Sequence, residues 1–227
     1  MAVHGGADIV NEGLVFCMDG ASKNCNNGTT INEILNGTSG TLGGDVTLTG
    51  TYAPTFDGSA DRIDFGGETT SDDFAFGTGD FTIACWFKYT GSNFNSFPYI
   101  LDMRAQGEQN AAKPGIYVAD DNKIQVFASN VVMPDGSETV SVDTWHHLVY
   151  TRIGSTRYVF FDNTQTNSGT HTVNYVASRV RLGSRSNLSL TQFWTGHIPI
   201  MQIYKGKGFT ANDVSQNFNA HRVRFGV

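Results

Sequence analysis

The chain has 227 residues and a formal net charge of −6. This acidic balance argues against non-specific binding of nucleic acid, which requires a basic surface. No run of about 18 apolar residues occurs, so the sequence predicts no membrane-spanning helix. All-β sandwiches of this length commonly form one domain. We therefore predict a single domain over residues 1–227, with residues 1–12 as an N-terminal extension.

The cysteines and the N-terminal residues indicate where the chain is made. Residues 1–8 contain neither the basic region nor the apolar region of a secretory signal. The cysteines at positions 17, 25 and 85 form an odd and sparse set, which is not a disulfide framework. Cys85 is predicted to be a small buried hydrophobic residue, whereas Cys17 and Cys25 could pair or stay free. Together these features favour synthesis in a reducing cytoplasm.

The first half of the chain predicts short strands joined by tight turns. A strand at residues 13–19 is followed by the polar stretch 21–50, in which residues 45–49 form a weak strand. Residues 55–65 then predict a strand, an Asp-Gly turn and a second strand. In the strand at 81–88, alternation places the odd-numbered residues on one face and the even-numbered residues on the other.

The second half continues the same pattern of strands. Further strands are predicted at residues 99–103, 115–118, 123–127, 145–152, 157–161, 179–183 and 196–204. In residues 179–183 the arginines should face outward and Val180 and Leu182 inward. Pro199 removes a backbone donor, so the last strand should lie at a sheet edge or contain a bulge.

One helix is predicted at Ala211–Asn219, near the end of the chain. Thr210 is a good N-cap, and Asp213 three residues later forms a weak capping box. Phe209 before the cap can contact Val214 in the manner of a hydrophobic staple. We expect this short helix to close one end of the structure.

Three segments together resemble a known fold family. They are residues 79–89 (GDFTIACWFKY), 144–152 (TWHHLVYTR) and 157–163 (RYVFFDN). They resemble the laminin-G-like branch of the concanavalin A-like jelly-roll sandwiches. The resemblance implies an all-β fold of two antiparallel sheets in a jelly-roll sandwich. Lectins, glucanases and purely structural modules share that fold, so the fold alone does not decide the function.

The two ends of the chain carry a narrower resemblance. Residues 13–19 (GLVFCMD) and the tail 205–226 resemble the opening and ending of laminin-G-like modules in tailed-phage virion proteins. This implies a non-enzymatic virion structural protein, either an outer capsid decoration or a head or tail appendage. It would dock on other virion proteins through loops and sheet edges, with a symmetric homo-oligomer as one arrangement. Its location would be the virion, assembled in the host cytoplasm.

The acidic residues and the histidines argue against catalysis. Retaining glycosidases need two carboxylates about 5–5.5 Å apart, but each glutamate is isolated in a loop-like context. Asp57, Asp61 and Asp64 lie around a turn with mismatched faces. His146 and His147 are neighbours in a strand and must point to opposite faces, so they cannot bind one metal ion. One of their rings should meet solvent. We predict no enzyme activity and no catalytic residue.

Calcium is the one cofactor that the sequence leaves open. Asp57, Asp61, Asp120 and Asp121 lie in predicted loops and could provide oxygen ligands. The alternative is that these aspartates only form turn hydrogen bonds. No spacing specifies the six to eight ligands that calcium takes, so the expected cofactor is none.

Carbohydrate binding is the alternative function. Exposed aromatic rings stack on sugars. Five aromatic residues lie in predicted loops or at strand ends, where each could equally be a core or interface residue: Phe94, Phe97, Tyr175, Phe193 and Trp194. Trp86 and Trp145 are assigned to the core. Such a module would attach to cell-surface glycans, with or without calcium.

The basic residues of the tail are the candidates for docking on a partner. They are Lys205, Lys207, Arg222 and Arg224. In an acidic chain they could bind an acidic patch on another virion protein, or simply form a solvated edge.

Overall fold

The computed structural model describes residues 8–67, 69–94, 96–128, 131–133, 138–186 and 192–227, and only the backbone of 131–133. Its strands are, in chain order, β1 (Leu14–Asp19), β2 (Ile31–Asn32), β3 (Ser39–Gly43), β4 (Thr55–Asp57), β5 (Arg62–Phe65), β6 (Phe81–Tyr89), β7 (Tyr99–Asp102), β8 (Gly115–Val118), β9 (Ile124–Ala128), β10 (Val131–Met133), β11 (His146–Ile153), β12 (Thr156–Phe161), β13 (Thr164–Thr170), β14 (Val180–Leu182) and β15 (Thr195–Lys205). A 3-10 turn spans Asp72–Phe74, and the helix α1 spans Ala211–Phe225.

Within the described residues, the strands form two antiparallel sheets. The seven-stranded sheet has the order β1-β15-β6-β11-β12-β13, with β4 also paired to β15. The eight-stranded sheet has the order β10-β9-β8-β7-β14-β5-β3-β2. Their inner faces enclose one large core of aromatic and aliphatic side chains. This arrangement confirms the predicted all-β sandwich with a C-terminal helix.

Strand β6 is buried on both faces because α1 covers the outside of its sheet. The odd-numbered residues 81–87 lie in the core between the sheets, as the alternation predicts. On the opposite face, Trp86 stacks against Phe225 and Phe218 of the helix, with ring centroids 4.5 and 5.3 Å apart. The expectation that the helix closes one end of the sandwich is therefore wrong. It forms a third layer on the seven-stranded sheet.

The helix begins as predicted and ends later. Thr210 and Asp213 form a complete capping box at its start. Phe209 and Val214 belong to the same buried cluster, as a staple requires. The helix continues past the predicted end to Phe225, where Gly226 adopts a left-handed conformation with φ 73°.

The last strand contains a bulge and does not lie at an edge. Strand β15 runs between β1 and β6, and its register with β6 shifts between His197 and Ile200. This interval includes Pro199, so the bulge accommodates the missing backbone donor. Strands β11 and β12 form the predicted hairpin, with Ile153 opposite Thr156 across a two-residue turn.

One predicted strand is not found among the described residues. The weak strand at 45–49 is not formed, and Thr47 makes only an isolated bridge to Thr55. Residues 1–7 of the predicted N-terminal extension lie outside the described residues. Within the remainder, the Val10 amide donates to Asn217 Oδ1 at 2.8 Å, so this segment packs against α1.

The cysteines are all buried, free thiols. Burial raises the pKa of Cys17 to about 12 and that of Cys25 to about 11, so both stay protonated at neutral pH. No helix in the described part of the chain is long and apolar enough to cross a membrane.

Candidate functional site

The outer face of the eight-stranded sheet carries a row of aromatic and charged side chains. The row crosses six strands in register and comprises Phe127, Gly115, Asp102, Arg181, Asp64 and Thr41. Adjacent strands lie 4.7–4.9 Å apart, so the row is about 24 Å long. Its three central members, Asp102, Arg181 and Asp64, are buried.

The middle of the row is a buried network of ion pairs. Arg181 binds Asp64 in a bidentate manner, with Nε–Oδ1 2.5 Å and Nη2–Oδ2 3.1 Å, and Arg179 Nη1 donates to the same carboxylate at 3.1 Å. Arg104 binds Asp102 through Nε at 2.9 Å and Nη2 at 2.7 Å. Arg181 of β14 and Arg179, the residue before this strand, face outward as predicted. Both side chains are nevertheless buried.

Two loops cover this network. Ser186 donates its amide to Asp102 Oδ2 at 2.9 Å and its hydroxyl to the Arg104 carbonyl. In the loop between β7 and β8, Lys113 Nζ bonds both carboxylate oxygens of Glu108, at 2.8 and 2.7 Å. Each of these carboxylates is therefore bound by cationic side chains of the same face, and this part of the face supports the fold.

Aromatic rings form the other end of the row. Tyr99 and Tyr117 stack with ring centroids 4.9 Å apart, and Phe97 contacts Tyr117 edge-on. The Arg104 guanidinium lies 4.8 Å from the ring centroid of Phe127 and 5.8 Å from that of Tyr99. Gly115 provides the space, since a Cβ there would lie 3.1 Å from the Tyr99 ring.

Part of this aromatic end is accessible. Phe97, Gln125 and Phe127 are half-buried, whereas the rings of Tyr99 and Tyr117 are buried beneath them. The Gln125 side-chain oxygen accepts the Tyr117 hydroxyl at 2.7 Å, which leaves its amide NH2 to donate to a ligand. Below we call Phe97, Tyr99, Arg104, Tyr117, Gln125 and Phe127 the aromatic face.

The backbone beside the aromatic face is held in a rare conformation. Phe97 and Gln192 both have positive φ, 52° and 62°. The Tyr99 amide donates to the Gln192 carbonyl at 3.2 Å, and Arg185 Nη1 donates to the Gln192 side chain at 2.8 Å. Left-handed non-glycine residues cost energy and cluster at ligand sites.

The sequence did not single out Gln125 and Phe127. The available signal was the strand at 124–128, where Ile124, Val126 and Ala128 are inward. A phenylalanine at the outward parity of such a half-buried strand is the kind of residue that a ligand covers.

Three of the five predicted sugar-stacking residues are buried, and Phe94 is one of them at 2% exposed. Trp194 is 0% exposed and packs against Phe87 and Tyr89, and Tyr175 is 1% exposed with its hydroxyl 3.2 Å from that of Tyr150. Their prediction as ligand contacts is wrong, because loop residues near strand ends fold into the core. Phe193 is half-buried, and its role stays a prediction. Trp145, assigned to the core, is also only half-buried.

The four candidate calcium ligands lie in two separate turns. Asp61 is buried and its carboxylate accepts the amides of Asp45 at 2.6 Å and Asp57 at 2.7 Å. Burial raises its pKa above the usual range. In the β8–β9 turn, Asp120 is exposed, and Asp121 accepts the Lys123 amide at 3.2 Å. Across the described ranges, no group of three or more acidic, histidine or cysteine side chains is placed to hold a metal.

The basic tail residues do not form one patch. Lys207 lies beside the start of α1, with its Nζ 3.4 Å from Asp213, whereas Arg224 in the last turn pairs with Asp19 at 2.6 Å. Lys205 donates to the Asp72 carbonyl at 2.6 Å, and Arg222 is exposed. The helix separates these groups by several turns.

Both histidines of the His146–His147 pair are buried, so the expectation that one meets solvent is wrong. They do point to opposite faces. His146 Nδ1 lies 2.8 Å from Asp162 and its ring contacts Phe161, whereas His147 packs on Trp86. The helix α1 covers the face of the sheet that carries His147. The sequence alone did not predict this position of the helix.

A cavity of about 130 Å³ lies between β1, β5 and the 3-10 turn. Phe16, Phe65 and Phe74 form part of its wall, together with Glu33 and several hydroxyl side chains. The Glu33 carboxylate is already bonded to the amides of Leu35 at 2.8 Å and of Asn36. This glutamate therefore organises the loop that carries it.

A two-sheet antiparallel sandwich with an aromatic outer face defines a lectin-like β-sandwich domain. The chain belongs to the laminin G-like family described as the Concanavalin A-like lectin/glucanases superfamily, which residues 57–215 match. No curated protein matches the chain.

Several solved structures share this fold. A mutant Trypanosoma rangeli sialidase displaying trans-sialidase activity superposes with a TM-score of 0.72 at 14% identity, over 98% of this chain and 35% of that one. The botulinum neurotoxin serotype D binding domain gives 0.66 at 15% identity, over 96% and 52%. The CBM40 of a Ruminococcus gnavus IT-sialidase, bound to alpha2,3 sialyllactose, gives 0.51 at 13% identity, over 60% and 80%. The chain thus spans about a third of the sialidase's length.

Proposed function

We propose that this domain binds glycans through the aromatic face and does not catalyse a reaction. The observation that carries the proposal is the half-buried Phe127 ring beside the Gln125 amide, above a rigid base of stacked tyrosines. A sugar ring would lay its C–H face on Phe127 and Phe97 while its hydroxyls accept from Gln125. The named binding of sialyllactose by a structural neighbour supports this class of ligand.

The base below these rings favours binding without rearrangement. Arg104 is held by both oxygens of Asp102 while its guanidinium lies against Phe127 and Tyr99. A ring supported in this way does not need to be ordered when the ligand arrives, which lowers the entropic cost of binding.

The carboxylates of the same face argue against hydrolysis. Asp64 and Asp102 are separated by β14, and each is bound by a guanidinium group in a bidentate manner. A carboxylate in that state is neither a free nucleophile nor a proton donor. We expect no release of sialic acid or galactose when the protein is incubated with sialyllactose.

A glycan array followed by titration calorimetry with sialyllactose and lactose tests the proposal. Replacing Phe127 with alanine removes the stacking surface and should weaken binding by about fivefold or more. Gln125→Ala should weaken it as well, and the matched variant Phe193→Ala should leave it unchanged. The proposal fails if the array shows no ligand, or if Phe193→Ala rather than Phe127→Ala abolishes binding.

Calcium is not needed for this mode of binding. The turn aspartates already accept backbone amides, so we propose that the domain binds without a metal cofactor. Titration after dialysis against EDTA should give the same affinity, and a loss of binding restored by calcium would contradict it.

We propose as a second candidate a virion structural role, in which the domain docks on capsid or tail proteins. The observation that favours it is that the two segments resembling phage modules form one unit. The Lys205 amide donates to the Gly13 carbonyl at 2.8 Å, and Arg224 of α1 binds Asp19 at 2.6 Å. Mass spectrometry of purified particles and of infected-cell lysate tests this role. Absence from the particle would end it.

A further inference from the structure

The outer face of the seven-stranded sheet carries a second aromatic surface, beside the last turn of α1. His197 lies opposite Lys88 on one side and opposite Thr55 on the other. His146 is opposite Phe87, so Trp145 flanks Lys88 on its other side. We call Trp145, Lys88, His197 and Thr55 the Lys88 row. It crosses β4, β15 and β6, ends at the residue before β11, and is about 14 Å long.

Aromatic rings surround the ammonium group of this row. Lys88 Nζ lies 5.1 Å from the ring centroid of Trp145 and 6.0 Å from that of Tyr52. The Tyr52 and Trp145 centroids are 4.8 Å apart, and Phe225 at 4.6 Å supports Trp145 from below. Lys88, Tyr52 and Trp145 are all half-buried, so the rings and the cation remain accessible from solvent.

Lys88 is the charged member of the row. Among the described residues, no carboxylate lies within 4.0 Å of its Nζ. Burial, and then the charge of Lys88, lower the pKa of His197, which favours the neutral ring. Its Nδ1 is engaged by the Thr55 hydroxyl at 3.0 Å. Asp57 lies one row further along and accepts the Ser59 amide at 2.7 Å.

We infer that the Lys88 row is a second ligand site, which takes a carboxylate-bearing sugar such as a hexuronic acid. The sugar's C–H face would lie on Trp145 and Tyr52, and its carboxylate would accept from Lys88 Nζ. An ammonium group has three donors, and aromatic faces satisfy its charge but accept hydrogen bonds poorly. A carboxylate supplies the missing acceptors. This site is independent of the aromatic face, because it lies on the other sheet.

Tryptophan fluorescence reports on this site selectively. Trp86 and Trp194 are 1% and 0% exposed, so a ligand that changes the emission without unfolding the protein acts on Trp145. The probes are trigalacturonic acid and its trimethyl ester, which has the same rings without the charge. We expect the acid to change the emission with saturation, and the ester to bind about tenfold more weakly.

Matched variants locate the binding. Lys88→Met keeps the aliphatic stem and should weaken binding of the acid about tenfold, whereas Lys88→Arg should retain it. Lys23→Met, at an exposed lysine elsewhere, should bind as the unmodified protein does. Circular dichroism of each variant separates a binding defect from unfolding.

Three results would overturn the inference. One is an absence of any fluorescence change up to about 10 mM acid. The second is equal affinity of the folded Lys88→Met variant and the unmodified protein. The third is loss of the response in Phe127→Ala with Lys88→Met unaffected, which would assign the acid to the aromatic face.

Discussion

At the scale of single residues, Asp64 shows how one carboxylate organises several strands. Its oxygens bind Arg181 of β14 at 2.5 and 3.1 Å, Arg179 at 3.1 Å, and the Arg62 Nε at 3.4 Å. Arg179 and Arg181 are far from Asp64 in the sequence. They are close to it in space because β14 pairs directly with β5. Removing the Asp64 carboxylate would take away the anion that binds the buried guanidinium groups of Arg179 and Arg181.

Asp64→Asn should therefore lower the free energy of unfolding by about 3–5 kcal/mol, as removal of one partner from a buried ion pair does. The matched change Asp57→Asn affects an exposed aspartate and should cost less than about 0.5 kcal/mol. Urea unfolding followed by circular dichroism measures both values. Equal stabilities of the two variants would contradict the role given to Asp64.

The burial of individual side chains could not be predicted from the sequence. Residue alternation in β14 correctly gave the outward direction of Arg181 but not its burial, because its partner and the covering loop are remote in sequence. The aromatic residues present the same difficulty. Trp194 and Trp145 both lie next to strand starts, and only tertiary contacts make the first buried and leave the second partly exposed.

At the scale of elements, α1 determines which side of the seven-stranded sheet is open. Its residues Phe218 and Phe225 cover Trp86 of β6, and Val214 packs in the cluster with Phe209. The capping box at Thr210 begins the helix at the register that brings these side chains onto the sheet. The Lys88 row lies on the same outer face, next to Phe225 in the last turn of the helix.

Thr210→Ala removes the capping hydroxyl, which accepts the Asp213 amide and contacts its carboxylate. The expected loss is about 1 kcal/mol in the free energy of unfolding. Asn219→Ala, at an exposed position in the helix, is the control and should be neutral or slightly stabilising. Thermal unfolding of both variants decides whether the cap stabilises the helix, and unchanged stability of Thr210→Ala would refute it.

The existence of the strands and the helix was predicted from the sequence more reliably than their positions in the fold. The capping residues and the hairpin turn are local signals, so the start of α1 and the β11–β12 connection were predicted correctly. The end of the helix was not, since its last turns are stabilised by contacts with Trp86 and Tyr52 rather than by local preference. The aromatic face likewise depends on the register of β7, β8 and β9.

At the scale of the whole molecule, buried neutral histidines make stability depend on pH. Burial, followed by the charge of His221, lowers the pKa of His147 to about 3, and burial lowers that of His171 to about 4. Their ordinary pKa is about 6.5 in an unfolded chain. Below pH 6.5 the unfolded state binds more protons than the folded state, so acid favours unfolding.

The free energy of unfolding should fall as the pH is lowered from 6.5 toward 4, with His147 contributing about 2 kcal/mol of the loss at pH 5. His147→Gln removes the titrating group and should flatten the profile over this range. Urea unfolding at a series of pH values provides the test. A variant with the same slope as the unmodified protein would show that other groups cause the effect.

The pairing of Leu14 with Tyr204 joins segments from opposite ends of the sequence. Strand β1 can meet β15 only after all the intervening strands have been synthesised, so the seven-stranded sheet is completed late in the synthesis of this domain. Contacts this remote slow the search for the native topology, and refolding times in the range of about milliseconds to seconds are expected. Until the late strand arrives, the unpaired edge of β6 is open to other chains, which makes nascent copies dependent on protection from aggregation.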